Sequence, residues 1–290
     1  MNNFLKTILE IIRIFYGELF NNKIPINRRI NRILARFSIS KLITKIIILK
    51  NSKNNFYFSN DNNFSEINIV RVTNNLNRDG IFEKFKVNSD DLELILNYCR
   101  NKKFNFNRDP NRQVNFSERF DFRDLYIMNI MNPHKECEAI DKIFRNKKLV
   151  EIVKNYLGVY PKLDSTQIFW SIPYYDKFGK PKEPPNKEFG FHYDIDGFKF
   201  LKFFIYLTDV TDQNCGQHSF IIKKNEKTFK EKIFRRIDDR FAFEQYNSRI
   251  KNIFGNKGTA FLEDTSYYHK GNFPLKERGM LAFTYNLSTW

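Results

Sequence analysis

From about residue 160 to the C-terminus the chain is written as six short runs of aromatic and β-branched residues. They are STQIFWSIP, GFHYD, LKFFIYLTDV, HSFII, GTAFLEDT and MLAFTYNLS, and Gly, Asn, Asp or Pro bounds each of them. Runs of this length and texture predict strands, and their boundaries predict turns. One helical insertion, at about 226–248, lies among them. Many short strands without an internal repeat point to a barrel or sandwich.

The region before the strands reads differently. VNSDDLELILNYCRNKK predicts a helix with Ser89 ahead of an acidic first turn and Leu92, Ile95, Leu96 and Cys99 on one face. KECEAIDKIFRNKKLVEIVKNYLG predicts a second helical block that Gly158 terminates. Residues 1–50 read as helix-like and basic and the polar, Asn-rich stretch 51–64 as a linker or loop, so the expected division is a basic amphipathic helical segment over 1–60 and the main domain over 61–290.

Composition sets limits on function. With 290 residues and 32 phenylalanines the chain can close a large aromatic core. Lys and Arg exceed Asp and Glu by 16, so the surface attracts anions. The basic residues are spread along the chain with no reader motif, so no specific nucleic-acid partner is expected. Cys99, Cys137 and Cys215 are odd in number and widely spaced, which fits a reducing, cytoplasmic compartment better than a disulfide framework. Phe4, Leu5, Ile8 and Ile11 recur at helical spacing, but Lys6, Glu10 and Arg13 interrupt them, so no spanning helix is expected. The basic run INRRINRILARFSISKLITKIIILK could lie on an anionic membrane, giving residues 1–50 a peripheral surface role; packing on the catalytic body or a second subunit is the simpler expectation. Nothing in the chain sets its oligomeric state.

The chemistry concentrates in FHYDIDGFKF, residues 191–200. In extended chain His192, Asp194 and Asp196 point one way, and Phe191, Tyr193 and Ile195 the other. His269, 75 residues after Asp194, lies in a second strand-turn-His-turn-Arg-strand pattern. Two imidazoles and one carboxylate on one face of a metal leave three positions open, which suits non-haem Fe(II) and its activation of O2. Asp196 is the rival carboxylate to Asp194. His134 reads as a helix-start residue, His218 as a strand or turn residue near the metal, and Asp264 and Thr265 as turn residues before His269. Trp170 reads as core.

At these residues the sequence resembles the phytanoyl-CoA dioxygenase family of Fe(II)/2-oxoglutarate oxygenases. DGIFEKFKVNSDDLELIL is similar to the family's opening segment, and LVEIVKNYLGVYPKL to the helix and Leu-Gly corner before its barrel. FHYDIDGFKFLKFFIYLTDVTDQNCGQHSF resembles its H-x-D strand, the next strand and the Asn-x-Gly turn, and GTAFLEDTSYYHKGNFPLKERGMLAFTY its distal His-x-Gly and Arg. The resemblance covers most of the chain after about residue 78. It implies a mainly β (α+β) double-stranded β-helix, a cupin-like jelly roll with flanking helices.

It further implies His192, Asp194 and His269 as iron ligands. Arg278, nine residues after His269, would take the distal carboxylate of 2-oxoglutarate, and Lys202 and Gln167 could reach the same co-substrate. The implied activity is hydroxylation of a small-molecule or lipid-like substrate using O2, with release of succinate and CO2. Retention of the carboxylate Asp194 favours hydroxylation over halogenation. The family's Gly-Ser-His-Lys after the Asn-x-Gly turn is replaced by IIKKNEKTF, and the Lys- and Pro-rich stretch 172–190 reads as a loop that could gate the site. The competing reading is a non-catalytic or cupin-like metal-binding jelly roll. It has no use for an arginine in this position.

Overall fold

The computed structural model describes residues 25–51, 55–59, 62–184, 189–222 and 227–287, with 12–14, 16, 17 and 20. Eleven strands are present among them: β1 (Ile81–Lys86), β2 (Lys103–Phe106), β3 (Asp109–Asn115), β4 (Ile127–Met131), β5 (Lys162–Ser171), β6 (Phe200–Tyr206), β7 (His218–Ile221), β8 (Ile250–Ile253), β9 (Thr259–Glu263), β10 (His269–Gly271) and β11 (Arg278–Asn286). Eight form one antiparallel sheet in the order β1-β9-β6-β11-β5-β4-β2-β3, and β10-β7-β8 form a second, smaller sheet. Helices lie outside the large sheet.

Strand alternation sorts the large sheet's side chains into two sets. Leu201, Phe203 and Ile205 of β6, Leu281, Phe283 and Tyr285 of β11, and Ile168 and Trp170 of β5 join the core beneath the helices. Their alternating neighbours, among them Phe204, Tyr206, Met280, Ala282 and Phe261, face the small sheet. β11 is buried at all nine positions because it is covered on both faces. Phe203 touches the rings of Phe64, Phe85 and Phe283 and has no exposed surface. Phe203→Ala is expected to cost about 3–5 kcal/mol, read as a shift of the denaturant midpoint at unchanged slope.

Helix Ser89–Arg100 buries Leu92, Ile95, Leu96 and Cys99 as its spacing predicts, but its cap is Asn88, whose side chain accepts from the Asp91 amide. The second helical block divides into Glu138–Phe144 and Lys147–Leu157, because Asn146 caps a new helix by accepting from the Leu149 amide. Gly158 then ends it in the left-handed region, at φ 98°, where a side chain would also press on Ile48. Ile48 belongs to the N-terminal helix Ile39–Asn51, which follows helix Ile26–Leu34. No described helix is long and apolar enough to cross a membrane; Phe4, Leu5, Ile8 and Ile11 lie outside the described residues.

Candidate active site

The run predicted as strand GFHYD contracts to a single bridge residue. His192 exchanges both backbone hydrogen bonds with His269 of β10, at 2.9 and 2.8 Å, and the next residue but one already turns away, the Asp194 amide donating to Thr265 O at 2.7 Å. The alternation nonetheless holds. Phe191, Tyr193 and Ile195 are buried together, while His192, Asp194 and Asp196 line a cavity of about 500 Å³ between the sheets.

His192, Asp194 and His269 bring one ligand atom each to within 4.8 Å of one another. The tautomers are set locally. His192 Nδ1 lies 2.9 Å from Gly190 O and His269 Nδ1 lies 3.0 Å from Tyr267 O. A carbonyl can only accept, so each Nδ1 carries the proton and each Nε2 turns a lone pair inward. His269 Nε2 is 3.5 Å and His192 Nε2 4.0 Å from the Asp194 carboxylate. Burial, and then the neighbouring His269, push His192 down to about 3, so it is neutral at any ordinary pH. Burial alone would raise Asp194, but the Lys202 ammonium outweighs it and holds the carboxyl well below its usual range. Two imidazole nitrogens and one carboxylate oxygen open to a cavity fit a divalent ion.

Lys202 takes a place the sequence does not specify. Its ammonium lies 2.8 Å from Asp194 and 2.6 Å from Asp196, bridging the two rival carboxylates. Asp196 is thereby a partner of Lys202, and Asp194 is the carboxylate that faces both imidazoles. Gln167 lines the same cavity.

Arg278 opens β11 and is 2 % exposed. Its guanidinium donates to Gly216 O, to Asn272 O at 3.5 Å and to Ser171 Oγ at 3.3 Å, all neutral acceptors. Among the described residues no carboxylate pairs with it, its Nε has no partner, and burial pulls it down to about 10. Gly271, two residues past His269, gives the guanidinium room, since a Cβ there would stand 2.6 Å from Nη2.

Sequence reasoning missed Glu263. It projects from β9 into the interior with no exposed surface, 2.7 Å from His218 Nε2 and 3.7 Å from His269 Nδ1. Burial pushes the Glu263 carboxyl up to about 8 and His218 down to about 3, so at neutral pH they meet as a carboxylic acid and a neutral imidazole. The His218 ring stacks 5.7 Å from His269. The only signal was a charged residue at an inward position of GTAFLEDT.

His134 stays far from this chemistry. It sits in a short turn before helix Glu138–Phe144, with Nδ1 2.7 Å from Thr166 Oγ1 and its ring edge-on to Phe144. Burial lowers its pKa below 6.5. Its contribution to stability is therefore present above pH 6.5 and lost as pH falls below it. His134→Gln should flatten the acid side of the melting-temperature profile.

Solved structures share this architecture. An alpha-ketoglutarate-dependent epimerase, SnoN from nogalamycin biosynthesis, is 11 % identical with a TM-score of 0.53, over 75 % of this chain and 82 % of its own. EctD from S. alaskensis with bound Fe is 15 % identical with a TM-score of 0.53, over 81 % and 82 %. HygX from Streptomyces hygroscopicus, with nickel and 2-oxoglutarate bound, is 12 % identical with a TM-score of 0.52, over 74 % and 85 %. The fold is the 2-oxoglutarate oxygenase jelly roll. No protein-family model and no curated protein sequence matches the chain. Part of the stretch expected to gate the site, residues 185–188, lies outside the described residues.

Proposed function

We propose that the chain is an Fe(II)/2-oxoglutarate-dependent dioxygenase of the phytanoyl-CoA dioxygenase type that hydroxylates a small-molecule or lipid-like substrate. The observation that carries this reading is the buried Arg278 guanidinium, without a carboxylate partner among the described residues, facing the same cavity as the His192, Asp194 and His269 cluster. A buried cation held only by neutral groups calls for an anion. A dicarboxylate co-substrate would supply one. Similar structures that hold Fe, or nickel with 2-oxoglutarate, support the same cofactors.

In this reading the Nε2 atoms of His192 and His269 and the Asp194 carboxylate hold the ion, and Arg278 grips the distal carboxylate of the co-substrate with its planar fork. Bound Fe(II) with 2-oxoglutarate supplies O2 activation, releasing succinate and CO2. Lys202 keeps Asp194 ionised and Asp196 keeps Lys202 in place. Phe169, Phe204 and Met280 line the cavity and limit water near the reacting carbon. The fold also hosts an epimerase; retention of the Asp194 carboxylate bears on the choice between hydroxylation and halogenation, and favours hydroxylation.

Anaerobic Fe(II) followed by 2-oxoglutarate should give wild-type protein the weak visible charge-transfer band of a chelated 2-oxo acid, and His192→Ala should lack it. Metal binding without the band would leave a metal-binding jelly roll of another kind.

A further inference from the structure

A second cavity, of about 460 Å³, is lined by the 194–200 segment and by residues 35–41, the turn between the two N-terminal helices with the start of the second. Five cations line it: Arg36, Lys41, Lys199, Lys227 and Lys232. Two carboxylates also line it, and both are engaged. Asp264 accepts from the Tyr156 hydroxyl at 2.5 Å and from the Ser266 amide at 2.9 Å, and Asp194 holds Lys202. The lining thus carries three more positive than negative charges.

These cations are not simply a lysine-rich surface. Arg36 is only 6 % exposed. Lys227 donates to Ser266 O and stands over the rings of Tyr193 and Tyr267, 4.2 and 5.4 Å from their centres. Among the described residues no carboxylate forms an ion pair with it. Burial pulls it down to about 8, which still leaves it mostly charged at neutral pH. Several ammonium groups around one cavity act as point charges with rotatable donors, which suits a tetrahedral oxyanion better than one planar carboxylate. Ser38, Ser40 and Ser266 add hydroxyls.

We propose that this cavity binds a phosphate-bearing anion, at a site separate from the His192, Asp194 and His269 cluster. The phosphate could be presented in solution or by a lipid headgroup. Helix Ile39–Asn51 gives the second source a physical basis, since Leu42, Ile46 and Leu49 are exposed beside Lys41 and Lys45.

The test titrates the full chain with inorganic pyrophosphate calorimetrically and, in a second arm, sediments it with phosphatidylcholine vesicles doped with phosphatidic acid. Saturable pyrophosphate binding is expected, weakened about tenfold or more in Lys227→Met and in Lys232→Met, with Lys103→Met, exposed at the start of β2, unchanged. A headgroup source adds vesicle binding that pyrophosphate competes away and that Lys227→Met loses; a soluble source gives pyrophosphate binding alone. Lys232→Met retains the test if Lys227→Met does not fold. Absence of binding in both arms, or binding indifferent to both substitutions, would overturn the proposal.

Discussion

His269→Ala is expected to lower the affinity for a divalent ion by more than about 100-fold, since loss of an outer-shell partner alone costs 10–100-fold. The substitution removes one of two Nε2 lone pairs and leaves His192 and Asp194 to hold the ion from one side. The backbone bridge between residues 192 and 269 uses main-chain atoms and survives, so the small sheet should persist. Anaerobic titration with Co(II), read by its absorption, measures the loss, and circular dichroism checks the fold. His134→Gln is the histidine control, expected to bind Co(II) as wild type does. Wild-type affinity in His269→Ala would remove His269 from the ligand set.

Arg278→Ala should weaken 2-oxoglutarate binding by about 30-fold or more, the 2–5 kcal/mol typical of truncating a buried charge partner, while Co(II) affinity is retained. Three acceptors, Gly216 O, Asn272 O and Ser171 Oγ, lose their donor as well, so binding is to be measured well below the variant's melting temperature. Arg278→Lys should recover only part of the affinity, because an ammonium cannot present two parallel donors to one carboxylate. Unchanged 2-oxoglutarate affinity in Arg278→Ala would overturn the assignment.

The parts of this fold that were legible in the sequence are those with a strict period. The segment 191–196 alternates, and its two faces separate as that period requires. The Leu92, Ile95, Leu96 and Cys99 stripe is helical and buried. The arrangement of His192, Asp194 and His269 was legible only in part, because nothing local in residues 191–200 signals a partner 75 residues on. Two of the strands were missed for different reasons. β3, at the sheet edge, buries a single residue, Val114, and so shows no alternation. β10 is three residues long and carries a ligand candidate rather than a hydrophobic pattern. Asn88 rather than Ser89 caps its helix because either side chain can accept the bond and register alone decides. The Glu263 and His218 pair, and the Lys202 bridge, depend on which strands become neighbours across the two sheets, a relation no single segment encodes.

The backbone bridge between His192 and β10 has a mechanical consequence. Two hydrogen bonds are all that the main chain contributes where the 190–194 segment meets the small sheet, so the barrel has its seam at the site itself. Whatever pries that seam apart separates the imidazoles, and whatever both imidazoles grasp draws it shut. The residues placed to do the chemistry are also the latch of the container.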